Sequence, residues 1–119
     1  YYQDKPIIPH GLSVILNAPA VFKYTYETNP ERHIKVAKIL GSNENFDSID
    51  PSELLPKILV KIIQNTGMPN GLSAVGYGKE DIPKLVEGTL PQHRVTKLSP
   101  KIAEKKDLKN LFLDSLVLW

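Results

Sequence analysis

Apolar residues recur every three or four positions along most of the chain, the spacing that places them on one side of an α-helix. These patterns predict helices over residues 11–26, 30–40, 50–66, 79–90 and 105–118. The segments between them are rich in glycine and proline, and none shows the alternating pattern of a strand. We therefore expect an all-α array of helices in orthogonal and antiparallel contact.

The first predicted helix differs from the others because its apolar residues lie on every side of the helical wheel. This distribution is typical of a helix that is buried all round. Asn17 and Pro19 interrupt the run, and its length from Leu12 to Phe22 falls well short of the ~20 residues that a membrane-spanning helix needs. The sequence therefore predicts a buried core helix and no membrane span.

Two later helices have recognisable start and stop residues. Asn29 can cap the second helix, with Pro30 at its first position and Gly41 after its end. Asp50 can cap the third helix, but Pro56 would then lie inside it. The conflict disappears if that helix begins near residue 52 or 53, because the first helical turn leaves its amide groups without intrahelical partners.

Composition limits the range of functions. With 119 residues and 41% hydrophobic content, the chain is one ordinary domain at most. Its 15 basic and 13 acidic residues are scattered, so a surface that follows nucleic-acid phosphates is not expected. The absence of cysteine excludes disulfides, thiolate catalysis and cysteine-ligated zinc. The chain opens on Tyr1 without an initiator methionine or a targeting segment, and we expect it to be part of a longer protein.

Three histidines are candidates for chemistry, and their surroundings differ. His33 lies on a charged helical turn, where a solvated side chain is expected, and His93 lies in a predicted surface loop. His10 stands between Pro9, which stiffens the backbone, and Gly11, which leaves room for an ion or substrate. On these grounds alone His10 has either a structural role or a metal-binding role. In the second case its partner ligands lie upstream of residue 1, because the chain offers no companion at metal-binding spacing.

Other candidate motifs have simpler explanations. VGYGKED resembles a dinucleotide-binding loop, but Glu80 and Asp81 would place two carboxylates where a pyrophosphate should bind. Acidic residues in the first turn of a helix stabilise that helix, which accounts for both of them. Ser73 and Ser99 have no general base in a recognisable relation to them. Nucleophilic catalysis is therefore not predicted.

Several segments together resemble the C-terminal part of the iron-containing (group III) alcohol dehydrogenases. They are PHGLSVILNAPAVF, NPERH, AKILG, GLSAVGYGKEDIPKLVEGTLPQHRVTKLSP and KDLKNLF, in this order, with residues 43–66 the least similar. The resemblance implies that residues 1–119 form the C-terminal all-helical, metal-binding domain of a two-domain enzyme with a dehydroquinate synthase-like fold. The N-terminal dinucleotide-binding domain would lie outside this chain.

The same resemblance implies a metal-dependent oxidoreductase linked to NAD(P). In the family one aspartate and three histidines hold a divalent metal, and the last histidine belongs to the Pro-His-Gly element, here His10. The other ligands would precede residue 1. A carboxylate and imidazole set accommodates Fe²⁺ or Zn²⁺. NAD(H) would be bound mainly by the missing domain, with the substrate in the cleft between the two domains.

Within the family the likeness is greatest to members that couple 4-hydroxybutyrate oxidation to 2-oxoglutarate reduction, forming 2-hydroxyglutarate. It implies small hydroxyacid and oxoacid substrates, a mitochondrial matrix location and a homo-oligomeric full-length enzyme, and the 119 residues alone are expected to be inactive. The alternative hypothesis is a non-catalytic protein-interaction module. Such a module would need no metal and would bind its partner through the amphipathic helices at 54–66 and 108–119.

Overall fold

The computed structural model describes residues 8–43 and 48–119, and within them every regular element is helical. The helices are α1 (His10–Thr25), α2 (Pro30–Ile39), α3 (Leu54–Asn65), α4 (Ile82–Thr89), α5 (His93–Thr96) and α6 (Lys105–Asp114). Short 3₁₀ turns lie at Tyr26–Thr28, Pro51–Glu53, Leu72–Val75 and Lys79–Asp81. The predicted all-α fold class is confirmed.

The predicted helix starts are confirmed by side-chain caps. Asn29 Oδ1 accepts a hydrogen bond from the backbone N–H of Arg32 at 3.1 Å. Asp50 Oδ1 accepts from the backbone N–H of Ser52 at 2.9 Å and opens the 3₁₀ turn that leads into α3. Since α3 begins at Leu54, Pro56 lies in its first turn, where its missing N–H costs no intrahelical bond.

The last helix ends earlier than predicted, at Asp114 rather than at residue 118. Beyond it, Ser115 is fully buried, and its carbonyl accepts from the backbone N–H of Leu72 at 2.9 Å. The carbonyl of Leu116 accepts from the backbone N–H of Ser73 at the same distance. The apolar spacing continues past Asp114, but pairing with this distant segment satisfies the tail's backbone and replaces the helix.

Two clusters of buried side chains form the core. The larger one joins α1, α4, α6, the turn at Leu72–Val75 and the C-terminal tail through Leu16, Leu72, Ile82, Val86, Leu108 and Leu116. The smaller one joins α2 to α3 through Ala37, Leu54, Leu55 and Ile58. Because α1 also packs against α3, it lies between the two clusters and links them.

The expectation that α1 is buried all round is wrong for the described residues. Leu16, Pro19, Ala20 and Thr25 form its buried face. On the other side Val14 is 55% exposed, and Val21 and Phe22 are 37% and 39% exposed. The apolar residues that the sequence places on this second side have no covering element in the described part of the chain. They line an open cleft instead.

Candidate metal centre and substrate cleft

His10 is the first residue of α1, and the backbone before it prepares the helix start. Pro9 has φ −58° and ψ 143°, and its carbonyl accepts from the backbone N–H of Ser13 at 3.1 Å. The Ser13 hydroxyl donates to the carbonyl of His10 at 2.7 Å. The imidazole itself is exposed, and among the described residues neither of its ring nitrogens has a hydrogen-bond partner. The main chain of His10 is thus fixed by hydrogen bonds, while its imidazole ring is free to bind a metal ion or another ligand.

The ring borders a cleft of about 680 Å³, within the size range of small-molecule sites. The exposed side of α1 forms one wall, with Val14, Asn17 and Phe22 following His10 along the helix. Residues from α4 and α6 and from the segment 92–103 complete the lining. Most of the lining is apolar, and none of the described lining residues is an acid, a lysine or an arginine.

His10 is suited to be one metal ligand, but the described residues do not complete a metal site. No group of three or more His, Cys, Asp or Glu side chains that could hold a metal occurs in 8–43 and 48–119. A Cβ added at Gly11 would meet no heavy atom within 4 Å outside the two adjoining residues, so the backbone directly after His10 faces open space. The prediction that His10 binds metal together with upstream ligands is untested by this arrangement and stays a prediction.

His33 is not the solvated side chain that was expected. Its Nδ1 lies 2.8 Å from the carbonyl of Asn29, and its Nε2 lies 2.9 Å from the hydroxyl of Thr25. Because a carbonyl only accepts, Nδ1 donates to Asn29, and Nε2 shares a second hydrogen bond with the threonine hydroxyl. The rings of Phe22 and Tyr26 contact the imidazole edge-on, with centroids 6.0 and 5.9 Å away. His33 therefore joins the end of α1 to the start of α2.

The other predicted surface features lie outside the cleft lining. His93 is exposed, as expected, but it begins the short helix α5 rather than lying in a loop. The motif at 75–81 is a helix entrance, as predicted, with Asp81 Oδ2 accepting from the backbone N–H of Gly78 at 2.9 Å.

No sequence pattern marks Gln92 or Thr96, which the fold places in the cleft beside α1.

Lys23 and Tyr24, near the end of α1, bind residues of two other segments. Lys23 Nζ lies 2.6 Å from Glu53 Oε1, and this carboxylate raises the pKa of the lysine. The hydroxyl of Tyr24 donates to the carbonyl of Ile102 at 2.7 Å, and desolvation by burial raises the pKa of that hydroxyl. Lys101 lies over the same ring, 4.3 Å from its centroid. The Lys23–Glu53 pair ties α1 to the turn before α3, and the two Tyr24 contacts tie α1 to the segment before α6.

The two helices that the interaction-module hypothesis would use have their apolar faces inside the fold. In α3, Leu54, Leu55 and Ile63 are 3% exposed or less. In α6, Leu108 is buried and Phe112 packs against the larger core cluster. Most of each apolar face is therefore covered, and the large exposed apolar residues of the two segments are Ile62, Val117 and Trp119.

Comparison with known proteins identifies the class to which this helical array and its Pro-His-Gly element belong. Residues 7–116 match the model of the Fe-containing alcohol dehydrogenase family, C-terminal. The match covers most of the chain, so the chain belongs to this family, and the predicted resemblance is confirmed. Membership implies a metal ion and a nicotinamide-type cofactor in general terms.

The similar curated proteins share one printed activity. The chain is 52% identical to "Probable hydroxyacid-oxoacid transhydrogenase, mitochondrial" of Dictyostelium discoideum, and 48% identical to "Hydroxyacid-oxoacid transhydrogenase, mitochondrial" of Rattus norvegicus and of Homo sapiens. Each alignment covers 100% of this chain but only 22% of the first relative and 26% of the other two. The chain thus spans about a quarter of the length of these relatives.

No solved structure matches the chain significantly. None of the helices in the described part of the chain combines the length and the apolar character needed to cross a membrane.

Proposed function

We propose that this chain is the metal-bearing helical domain of a hydroxyacid-oxoacid transhydrogenase, a metal-dependent and NAD(P)-linked oxidoreductase. The observation that carries the proposal is the exposed, unpartnered His10 ring at the edge of an apolar cleft, in a chain about half identical to proteins of that name. The reaction would couple oxidation of 4-hydroxybutyrate to reduction of 2-oxoglutarate. As in the names of these relatives, the location would be the mitochondrion.

The chain's own residues would contribute one metal ligand and an apolar wall of the substrate cleft. His10 would bind the metal through a ring nitrogen, with its main chain held by Pro9 and Ser13 and with open space at Gly11. When bound, an Fe²⁺ or Zn²⁺ ion supplies Lewis-acid polarisation of a substrate oxygen, and NAD(H) supplies the hydride carrier. The apolar side chains of Val14, Val21 and Phe22 would exclude water beside the reacting carbon.

The remaining parts of the site would come from the rest of the protein. No group of three or more potential ligands occurs in residues 8–43 and 48–119. The expected aspartate and two histidines would precede residue 1. The dinucleotide would be bound mainly by an N-terminal domain that is also outside this chain. We further propose a homo-oligomeric full-length enzyme.

The test uses the full-length protein with His10→Ala and, as a matched control, His93→Ala, whose side chain is exposed and does not line the cleft. We expect His10→Ala to lower metal content and turnover together, by about 100-fold or more, since loss of even an outer-shell partner costs ~10- to 100-fold. Turnover is measured as 2-oxoglutarate-dependent oxidation of 4-hydroxybutyrate without added nicotinamide. Helical content and the control variant should be unchanged. Normal metal content and turnover in His10→Ala would refute the proposed role of this residue.

A further inference from the structure

Most polar side chains that line the cleft direct their donors into the protein backbone rather than into the cleft. The donors and their acceptor carbonyls are Ser13 to His10 at 2.7 Å, Asn17 to Ser13 at 2.7 Å, Thr89 to Leu85 at 2.7 Å, Thr96 to Gln92 at 3.2 Å and Tyr24 to Ile102 at 2.7 Å. A hydroxyl has a single proton to donate, so each of these four hydroxyls keeps only its acceptor capacity for a ligand. The walls are therefore poorer in donors than their composition suggests.

Besides His10, two polar lining side chains make no hydrogen bond within the described residues, namely Gln92 and Ser99. Gln92 is the stronger candidate for ligand contact because its carboxamide has two N–H donors. Its main chain is held on both sides: its N–H donates to the carbonyl of Thr89 at 2.9 Å, and its carbonyl accepts from the N–H of Thr96 at 3.0 Å. An exposed amide on a fixed backbone is a suitable polar group for orienting a substrate.

The cleft lining lacks cationic side chains, and this gives the Gln92 carboxamide a specific use. Hydroxyacids and oxoacids carry a carboxylate, which requires hydrogen-bond donors wherever it leaves water. Neither lysine nor arginine lines the described part of the cleft, and its apolar side, including Val14 and Phe22, suits only the methylene groups of such a substrate. We propose that the Gln92 carboxamide donates to the substrate carboxylate and so determines specificity for acids over simple alcohols. This inference rests on the proposed function and adds a substrate contact to it.

The test compares Gln92→Leu and Gln92→Glu in the full-length enzyme, with Gln64→Leu as control. Gln64 is an exposed glutamine on α3 outside this cleft. A donor to a charged group is lost in Gln92→Leu, so we expect KM for 4-hydroxybutyrate and 2-oxoglutarate to rise about tenfold, with kcat and metal content nearly unchanged. Gln92→Glu has almost the same shape but adds a like charge, and its KM should rise further. The inhibition constant of glutarate, a non-reacting dicarboxylate, should rise by the same factors.

The outcomes separate this inference from the proposed function. If the wild type turns over and both Gln92 variants retain normal KM and glutarate inhibition, the Gln92 assignment is wrong and the proposed function stands. A fall in kcat and in thermal stability, without a change in KM, would show a structural role and also overturn the assignment. If the wild type lacks turnover, the proposed function and the assignment fail together, whereas unchanged Gln64→Leu kinetics beside raised KM in both Gln92 variants would support the assignment.

Discussion

At Gly71 the backbone of the C-terminal tail lies too close to leave room for a side chain, and Gly71→Ala measures what this close approach contributes to stability. The residue has φ 76° and ψ −176°, a backbone conformation that only glycine adopts without strain. A Cβ at this position would lie 2.7 Å from the carbonyl carbon of Leu116 and 2.8 Å from the carbonyl oxygen of Ser115. Both are backbone atoms, which cannot rotate away as a flexible side chain could.

The expected cost has two parts. Backbone strain at such a conformation costs ~1–3 kcal/mol. The clash would also separate the tail from the two backbone hydrogen bonds that Leu72 and Ser73 donate to it, each contributing ~1 kcal/mol. Together they predict a loss of about 3–5 kcal/mol in the free energy of opening this segment, because both effects fall on the same contact.

Two control substitutions separate strain from clash. Gly67→Ala shares a positive φ of 71° but has no neighbour within 4 Å, so it should cost only the ~1–2 kcal/mol of left-handed strain. Gly88→Ala lies in α4 with neither problem and should stabilise its helix by up to ~1 kcal/mol. Amide hydrogen exchange of Leu72 and Ser73 in the full-length protein measures the opening directly. Gly71→Ala should accelerate it by about 100-fold or more. Exchange no faster than in Gly67→Ala would refute the close approach.

Two further predictions concern the helix starts. Gly11→Ala should stabilise α1 by up to ~1 kcal/mol in thermal unfolding, since the added methyl would meet no heavy atom within 4 Å outside the adjoining residues. The proposed role of His10 predicts that this methyl, one residue from the metal ligand, also lowers kcat/KM by about tenfold or more. Gly88→Ala is its control, and unimpaired turnover would contradict the role of Gly11. Two hydrogen bonds from Ser52 lower the pKa of Asp50, so its cap contributes stability above the unfolded-state pKa and loses it as pH falls through the folded-state pKa. Urea unfolding between pH 6 and pH 2 should therefore show a shallower acid-side decline for Asp50→Asn, and parallel curves would count against this linkage.

Local signals predicted the helices well where the chemistry is local. The caps at Asn29 and Asp50 and the entrance at Gly78 depend on residues three positions apart or fewer, and the structure contains all three. The end of α6 could not be predicted in this way. Its apolar spacing continues, and the competing partner, the segment at Leu72, lies more than forty residues away in the sequence.

The histidines show the same division between local signals and tertiary contacts. His10 was identified from its proline and glycine neighbours and from the family resemblance, and it lies at the edge of the cleft. His33 was expected in solvent, because nothing in ERH indicates that Thr25 and two aromatic rings surround it. Nothing in the sequence marks Gln92, because its proposed role depends on which other donors in the cleft are already used.

The amino-acid sequence by itself determined the helical class, the main helix starts and the family, because periodicity, caps and extended identity are properties of neighbouring residues in order. The tertiary structure decided which side of α1 is covered, where the tail leaves its helix and which cleft donors remain available. Those outcomes depend on competition between groups far apart in the sequence for the same backbone partners and the same apolar surface. The spacing of residues along the chain does not show which of these groups come together.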